Sequence, residues 1–359
     1  MNLTKYKLGD LIVQRREKNN NYDIPIRGVS KDGFIRAKQQ DADTSIYNVF
    51  YKYDFVFNPA RMELNSIALN LEYEKALCSS LYEVFFIKDE SIVLPEFLNL
   101  HIKCDEFARH CDYIGLGSAR EYCRFANIAE FDILLPSIEA QQEIVEADRI
   151  IKKRIRLNEQ IIATLEATAQ ALYRKMFVDG IDKENLPDGW VNKSLSEIAT
   201  LKAGGDKPIE FSEVRTGCYN IPVYANGIEN KGIFGYTTRP TIKSKSITIS
   251  ARGTIGYCFL RKQPYVPIVR LIVVIPNDEL LAQYLFYYLD AMNIKGSGSV
   301  QSQLTVPDME RFEIVLPPEE LIKEFSKRTE IIDKSIATYE LENEKLTELQ
   351  SLLLAKMGQ

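Results

Sequence analysis

Ile144, Asp148, Ile151, Ile155, Asn158, Ile162, Leu165, Ala169, Leu172 and Met176 follow one another in alternating steps of four and three. That spacing is the mark of a helix packed along one seam. Phe325, Thr329, Ile332, Ile336, Tyr339, Asn343, Leu346, Gln350, Leu353 and Met357 repeat it. Nothing breaks the first run between Pro136 and Gly180, so the spacing predicts a helix of roughly 38 residues, about 57 Å long. A helix of that length has too small a core of its own and needs a partner stripe. The other run supplies one, with Ile151, Ile155, Asn158, Ile162, Leu165 and Leu172 expected against Ile332, Ile336, Asn343, Leu346 and Leu353. The two asparagines are polar interruptions of the kind that fixes register at some cost in stability.

Outside these runs the pattern changes to short apolar or alternating stretches separated by Gly, Pro and Asn: FVF (55–57), YEVFFI (82–87), SITIS (246–250), VRLIVVI (269–275) and FEIVL (312–316). These predict strands. LPEFLNLHIKC (94–104) and LLAQYLFYYLDAM (280–292) predict short amphipathic helices. The fold class is therefore α+β, two α/β blocks joined by two long helices.

The chain is also a repeat. FDILLPSIEAQQEI (131–144) returns as FEIVLPPEELIKEF (312–325), and a shift of 181 aligns 115–176 with 296–357 with 18 identities in 62 positions and no gap. KLGDLI (7–12) matches SLSEIA (194–199), and IPIRGVSKDGFI (24–35) resembles IPVYANGIENKGIF (221–234). The expected organisation is a first block at 1–137, a long helix at 138–180, a second block at 181–318 and a second long helix at 319–359. Burying one seam on the other requires the helices to run antiparallel, with a block at each end and a pseudo-two-fold axis between them.

Composition adds limits rather than identity. The 359 residues are 45% hydrophobic and 26% charged, enough to bury a core. No apolar run approaches the ~18 residues of a membrane span, and MNLTKYKLGD opens without an apolar signal segment. Six cysteines without a CxxC pair fit reduced thiols in a cytoplasm. The net charge of −5 conceals two cationic stretches, with seven Lys/Arg against three Asp/Glu in 12–40 and eleven against four in 200–275.

Motifs for chemistry are missing. There is no GxxxxGK[ST], NPAR (58–61) lacks the second Pro and the aromatic of a base-flipping methyltransferase, and GLGS (115–118) and GSGS (296–299) read as tight turns. His101 and His110 lie near Cys104 and Cys111, but HxxC followed by HC is not a zinc spacing, and the second block has no counterpart. No catalytic residue, metal site or bound cofactor is expected.

A cationic block without catalytic residues fits a DNA reader, in which Arg and Asn address base edges and Lys neutralises phosphate. The candidates in the first block are Arg15, Arg16, Lys18, Arg27, Lys31, Arg36, Lys38 and Arg61. In the second they are Lys202, Lys207, Asn226, Asn230, Lys231, Tyr236, Arg239, Lys243, Lys245 and Arg252. Two readers on a rigid spacer would address unlike half-sites about one helical turn, ~34 Å, apart. A DNA-modifying enzyme with unfamiliar motifs, or a protein-binding dumbbell, would also fit the residues up to this point.

LPSIEAQQEIVEADRIIKKRIRLNEQIIATLEATAQALYRKMFVD (135–179), LPDGWVNKSLSEIA (186–199), ISARGTIG (249–256) and LPPEELIKEFSKRTEIIDKSI (316–336) resemble the DNA-specificity subunit of type I restriction-modification systems. The resemblance runs over essentially the whole chain. It implies a non-catalytic subunit whose blocks are target recognition domains for a split double-stranded site. It further implies helices that dock two modification subunits, which carry S-adenosylmethionine and methylate adenine, with restriction subunits adding ATP-driven cleavage. The first block lacks the LPDGW that opens the second, and the sequence ends just after Met357, so an abbreviated closure of the family's ring is expected.

Overall fold

Phe131 and Phe312 do the same job. Each backbone carbonyl accepts a hydrogen bond from the amide of a leucine that opens a four-residue helix, Leu8 to Phe131 and Leu195 to Phe312, both at 2.8 Å. In this computed structural model the described residues are 3–20, 23–31, 33–37, 43–115, 122–182, 184–253, 255–292 and 304–357. They form two compact units, 1–159 with 340–359, and 160–339.

In unit 1 the strand Thr4–Lys7 pairs antiparallel with Asp132–Leu135. A four-stranded antiparallel sheet follows in the order Ile12–Arg15, Glu83–Ile87, Phe55–Phe57, Ile67–Leu69. Two small two-stranded antiparallel sheets, the hairpin Arg27–Ser30 with Gly33–Arg36 and the pair Asn48–Tyr51 with Lys75–Cys78, complete the strands. Phe55 and Phe85 stack with ring centres 4.8 Å apart, and the helices Pro95–Ile102, Asp105–Gly115 and Phe125–Ala129 close the core around Phe97, Phe107 and Phe131.

Unit 2 repeats the plan. Val191–Ser194 pairs with Glu313–Leu316, and the four-stranded sheet runs Ala199–Ala203, Ile272–Pro276, Ser246–Ile249, Cys258–Arg261, the same sequence of first, last, middle and next strand. A three-stranded sheet, Ile233–Thr237, Ile221–Tyr224, Val266–Pro267, includes one parallel pair. The helices are Leu195–Ile198, Leu281–Ala291 and Val306–Glu310. The short helix at Leu195 is capped reciprocally by Ser194 and Glu197, which its counterpart at Leu8, preceded by Lys7, lacks.

The long helices are Ile138–Phe177 and Glu319–Met357, and each unit contains half of both. Within unit 1 they run antiparallel: Asp148 Oδ1 accepts from Gln350 at 2.7 Å, Arg154 forks onto Glu342 at 2.8 and 3.1 Å, and Asn158 donates to Asn343 at 2.8 Å. Of the seam positions there, Ile151 and Asn158 are buried and Ile155, Asn343, Leu346 and Leu353 are half-buried. Gln141, with no exposed surface, stitches the start of the first long helix to the block. It accepts from the Leu94 amide at 3.0 Å and donates to the Ile92 and Pro136 carbonyls at 2.9 and 3.1 Å. At the far end of the second helix, Leu354 and Met357 pack into the same core, and Cys104 Sγ donates to the Leu354 carbonyl at 3.4 Å.

Within unit 2, Phe325 sits among the rings of Tyr173, Phe177 and Tyr287 at 6.1, 5.2 and 5.5 Å. Leu172 and Ile332 pack half-buried against the same core, and Ile162, Leu165 and Ile336 are half-buried farther along the two helices.

Two expectations are adjusted, and a third falls outside the described residues. VRLIVVI is not one strand: Val269 and Arg270 take left-handed φ of 53° and 63°, and the strand begins at Ile272. The segment 94–104 is a shorter helix, and a separate amphipathic helix starts at Asp105. The Gly-rich segments GLGS, from Leu116 on, and GSGS lie outside the described residues. No helix among the described residues is long and apolar enough to cross a membrane.

Candidate nucleic-acid interface

The cations of unit 1 divide into those committed to the fold and those presented outward. Arg15, on the first strand of the sheet, forks onto Asp54 at 2.6 and 3.0 Å and lies between the rings of Tyr51 and Phe86, 4.7 and 4.6 Å from their centres. Burial pushes the Asp54 carboxyl pKa up despite that partner. Lys18 donates to Asn48 at 2.7 Å. Arg27 donates to the Tyr73 hydroxyl at 2.8 Å and to the Ile26 carbonyl at 2.9 Å.

The hairpin of Arg27–Ser30 and Gly33–Arg36 sets Arg27 directly opposite Arg36, with exposed Lys31 at its turn. Like charges facing each other across a strand pair are unfavourable unless an anion joins them. Arg16 is exposed and donates to Gln14 at 2.8 Å, and Arg61 is exposed in the turn Pro59–Leu64. Lys38 lies outside the described residues.

In unit 2, Lys202 stands exposed on the edge strand opposite Val273. The Lys207 ammonium sits 3.6 Å over the Phe211 ring and 5.5 Å from that of Phe234. Arg239, Lys243 and Lys245 are exposed, and Lys245 contributes to lowering the pKa of Glu330, after its nearer partner Lys334. Tyr236 is half-buried, its backbone paired with Ser212. Asn230 and Lys231 form a left-handed turn with φ of 47° and 54°, and Arg252 is exposed in the loop after Ile249.

Asn226 has both ends of its amide in use. Nδ2 donates to the Val269 carbonyl and Oδ1 accepts from the Ala251 amide, each at 2.7 Å. Its role is to join loops, a role spacing could not reveal.

Two arginines outside the candidate set belong to this surface. Arg261 is 6% exposed; it donates to the Thr248 hydroxyl at 2.9 Å and the Lys231 carbonyl at 2.6 Å, with its guanidinium 3.5 Å from the Tyr224 ring centre. Burial lowers its pKa to about 10. Arg270 is exposed. In the sequence it counted only as one of the eleven cations of 200–275, inside the strand predicted at 269–275.

The histidines and cysteines do other work. His101 lies against Phe97 and Phe131, and His110 shares a hydrogen bond of 3.0 Å with the Asn127 carbonyl. Among the described residues no three His, Cys, Asp or Glu side chains gather as a metal site would need.

The model of the type I restriction modification DNA specificity domain (Methylase_S) matches residues 3–167 and again 187–351. A Mycoplasma pneumoniae protein named as a type I specificity subunit, S.MpnORF507P, is 26% identical over 331 residues, covering 88% of this chain and 85% of its own. The specificity subunit of the Haemophilus influenzae type I restriction enzyme HindI is 23% identical over 354 residues, covering 74% and 77%. The crystal structure of the S subunit of a type I restriction-modification system from M. genitalium matches with a TM-score of 0.59 at 16% identity, over 99% of this chain and 96% of that one. With one match of the model in each half of a duplicated α+β chain, this protein belongs to the type I restriction-modification DNA specificity family.

Proposed function

We propose that the chain is the non-catalytic, sequence-reading member of a DNA methylation complex. Each unit reads one half of a split double-stranded site. The long helices set the separation of the readers and dock two modification subunits, which carry S-adenosylmethionine. Restriction subunits join where the system cleaves, and the work is done in the cytoplasm.

The observation that carries this reading is a shared frame around unlike cationic loops. The strand order of the four-stranded sheet and the Phe131/Phe312 junction agree in both units, whereas the loops differ, with an Arg27–Arg36 hairpin in one and the Asn226 junction in the other. Two different half-sites need that combination, because the frame fixes orientation while the loops choose bases.

Coexpression with a type I modification subunit, followed by methylome sequencing, tests it. The expected outcome is methylation of a split site only when both chains are present; normal targeting by the methyltransferase alone refutes it. Adding one heptad to both helices should lengthen the tolerated spacer by about three base pairs, from ~10.5 Å of added rise over ~3.4 Å per pair.

A further inference from the structure

Asn226 ties together three segments of unit 2, and each carries an outward cation. Its own loop leads to Lys231, its Oδ1 holds the amide of Ala251 next to Arg252, and its Nδ2 holds the carbonyl of Val269 next to Arg270. Buried Arg261 closes the first segment by donating to the Lys231 carbonyl at 2.6 Å, and the Ala225 amide reaches the Gly232 carbonyl at 2.9 Å.

The third segment is the most tightly specified. Val269 and Arg270 are consecutive left-handed residues, a conformation that disfavours side chains and above all a β-branched one. The surroundings hold it there. The Val269 amide donates to Gly205 at 2.9 Å, the Arg270 amide to Gly204 at 3.3 Å, and the Gly204 amide to Leu271 at 2.8 Å. A side chain at Gly204 would meet the Ile268 backbone at 2.9 Å, so this close approach requires glycine. The result is a fixed backbone from which Arg270 projects into solvent; among the described residues no hydrogen bond or ion pair engages its side chain.

A phosphate contact needs only a charge in the neighbourhood, and a flexible loop lysine supplies that. An unfavourable backbone anchored on several sides is warranted where the position of a planar, five-donor group matters, as it does for a fork onto a guanine edge. Resting on the specificity-subunit reading above, we propose that Arg270 is a specificity-determining DNA contact of unit 2, forking onto the edge of a guanine in its half-site, and that Asn226 is the residue that positions it.

The test uses the full chain assembled with its modification partner and a DNA library randomised across the split site, with methylation read by sequencing. Arg270→Ala should lose discrimination at one base pair of one half-site by roughly 5- to 150-fold, leaving the other half-site read as before. Arg270→Lys, which keeps the charge but not the fork, should relax the same base pair. Asn226→Asp keeps the acceptor for Ala251 and loses the donor to Val269, so it should reproduce that relaxation with unit 1's half-site intact.

Uniform weakening across all sequences by Arg270→Ala, with the salt dependence shallower by about one ion, would make Arg270 a phosphate contact and overturn the proposal. So would unchanged discrimination in both half-sites. An Asn226→Asp chain that reads the base pair normally removes Asn226 from the role. A wild-type complex that methylates no split site defeats the proposed function itself, and this inference with it.

Discussion

Arg15→Gln separates a cation that holds the fold from one that holds DNA. Arg15 forks onto Asp54, which is 1% exposed and also accepts from the Tyr51 amide at 2.8 Å. Removing one partner of a buried pair costs about 3–5 kcal/mol, because the other charge stays behind uncompensated. The Arg15 side chain retains 24% of its surface, so water screens part of the loss and ~3 kcal/mol is expected. That corresponds to roughly a 150-fold loss of protection at ~1.4 kcal/mol per tenfold.

Hydrogen exchange at the amides of Ile12–Arg15 and Phe55–Phe57 measures it, with the strand Ser246–Ile249 of unit 2 as internal reference. The pH dependence is a second readout. Burial already raises the Asp54 pKa, and loss of Arg15 raises it further above the unfolded value of about 3.9. A raised folded pKa places the penalty at neutral pH and relieves it as pH falls through that pKa, so the variant's deficit should shrink in acid. Wild-type protection together with a DNA-binding salt slope shallower by about one would make Arg15 a phosphate contact and refute the structural assignment.

Two further outcomes follow from side chains in the cores. Phe325→Ala should cost unit 2 about 3–5 kcal/mol, whereas Ile144→Ala, the same place in the repeat but half-buried, should cost unit 1 no more than ~2 kcal/mol; segment-resolved exchange in urea compares them, and equal costs would contradict the packing described. His101 is 2% exposed with Nδ1 unpartnered, and burial lowers its pKa against an opposing pull from Glu106. Its contribution is therefore full above ~6.5 and lost as pH falls toward the folded pKa, so His101→Phe should flatten the decline in unit 1's thermal stability between pH 7 and 5.

The long helices were legible because ten consecutive seam positions leave no other period to choose, and the junctions because Leu-Pro marks them in both copies. The strands with β-branched or aromatic runs were legible for the same local reason. What escaped was set by partners distant in sequence. Arg15 stood among the DNA-facing candidates, and only Asp54, thirty-nine residues on, makes it internal. Asn226 resembled a base-reading amide until Ala251 and Val269 occupied both its ends. The apolar run from Val269 hid a turn, since its left-handed residues are imposed by Gly204 and Gly205. The division of the chain inside the two helices, at 159/160 and 339/340, follows from packing that no local pattern encodes.

That division has a consequence for biosynthesis. Unit 1 draws its core from 1–159 and from a segment made only after all of unit 2, in which Leu354 and Met357 seal the region around Cys104 and Phe107. A ribosome must therefore carry the first-made globule with an unsealed apolar gap while the intervening 180 residues, 160–339, emerge and fold. Chains cut short before that seal should be the ones chaperones retain and proteases remove, so that reading DNA and having been translated past residue 357 become one requirement.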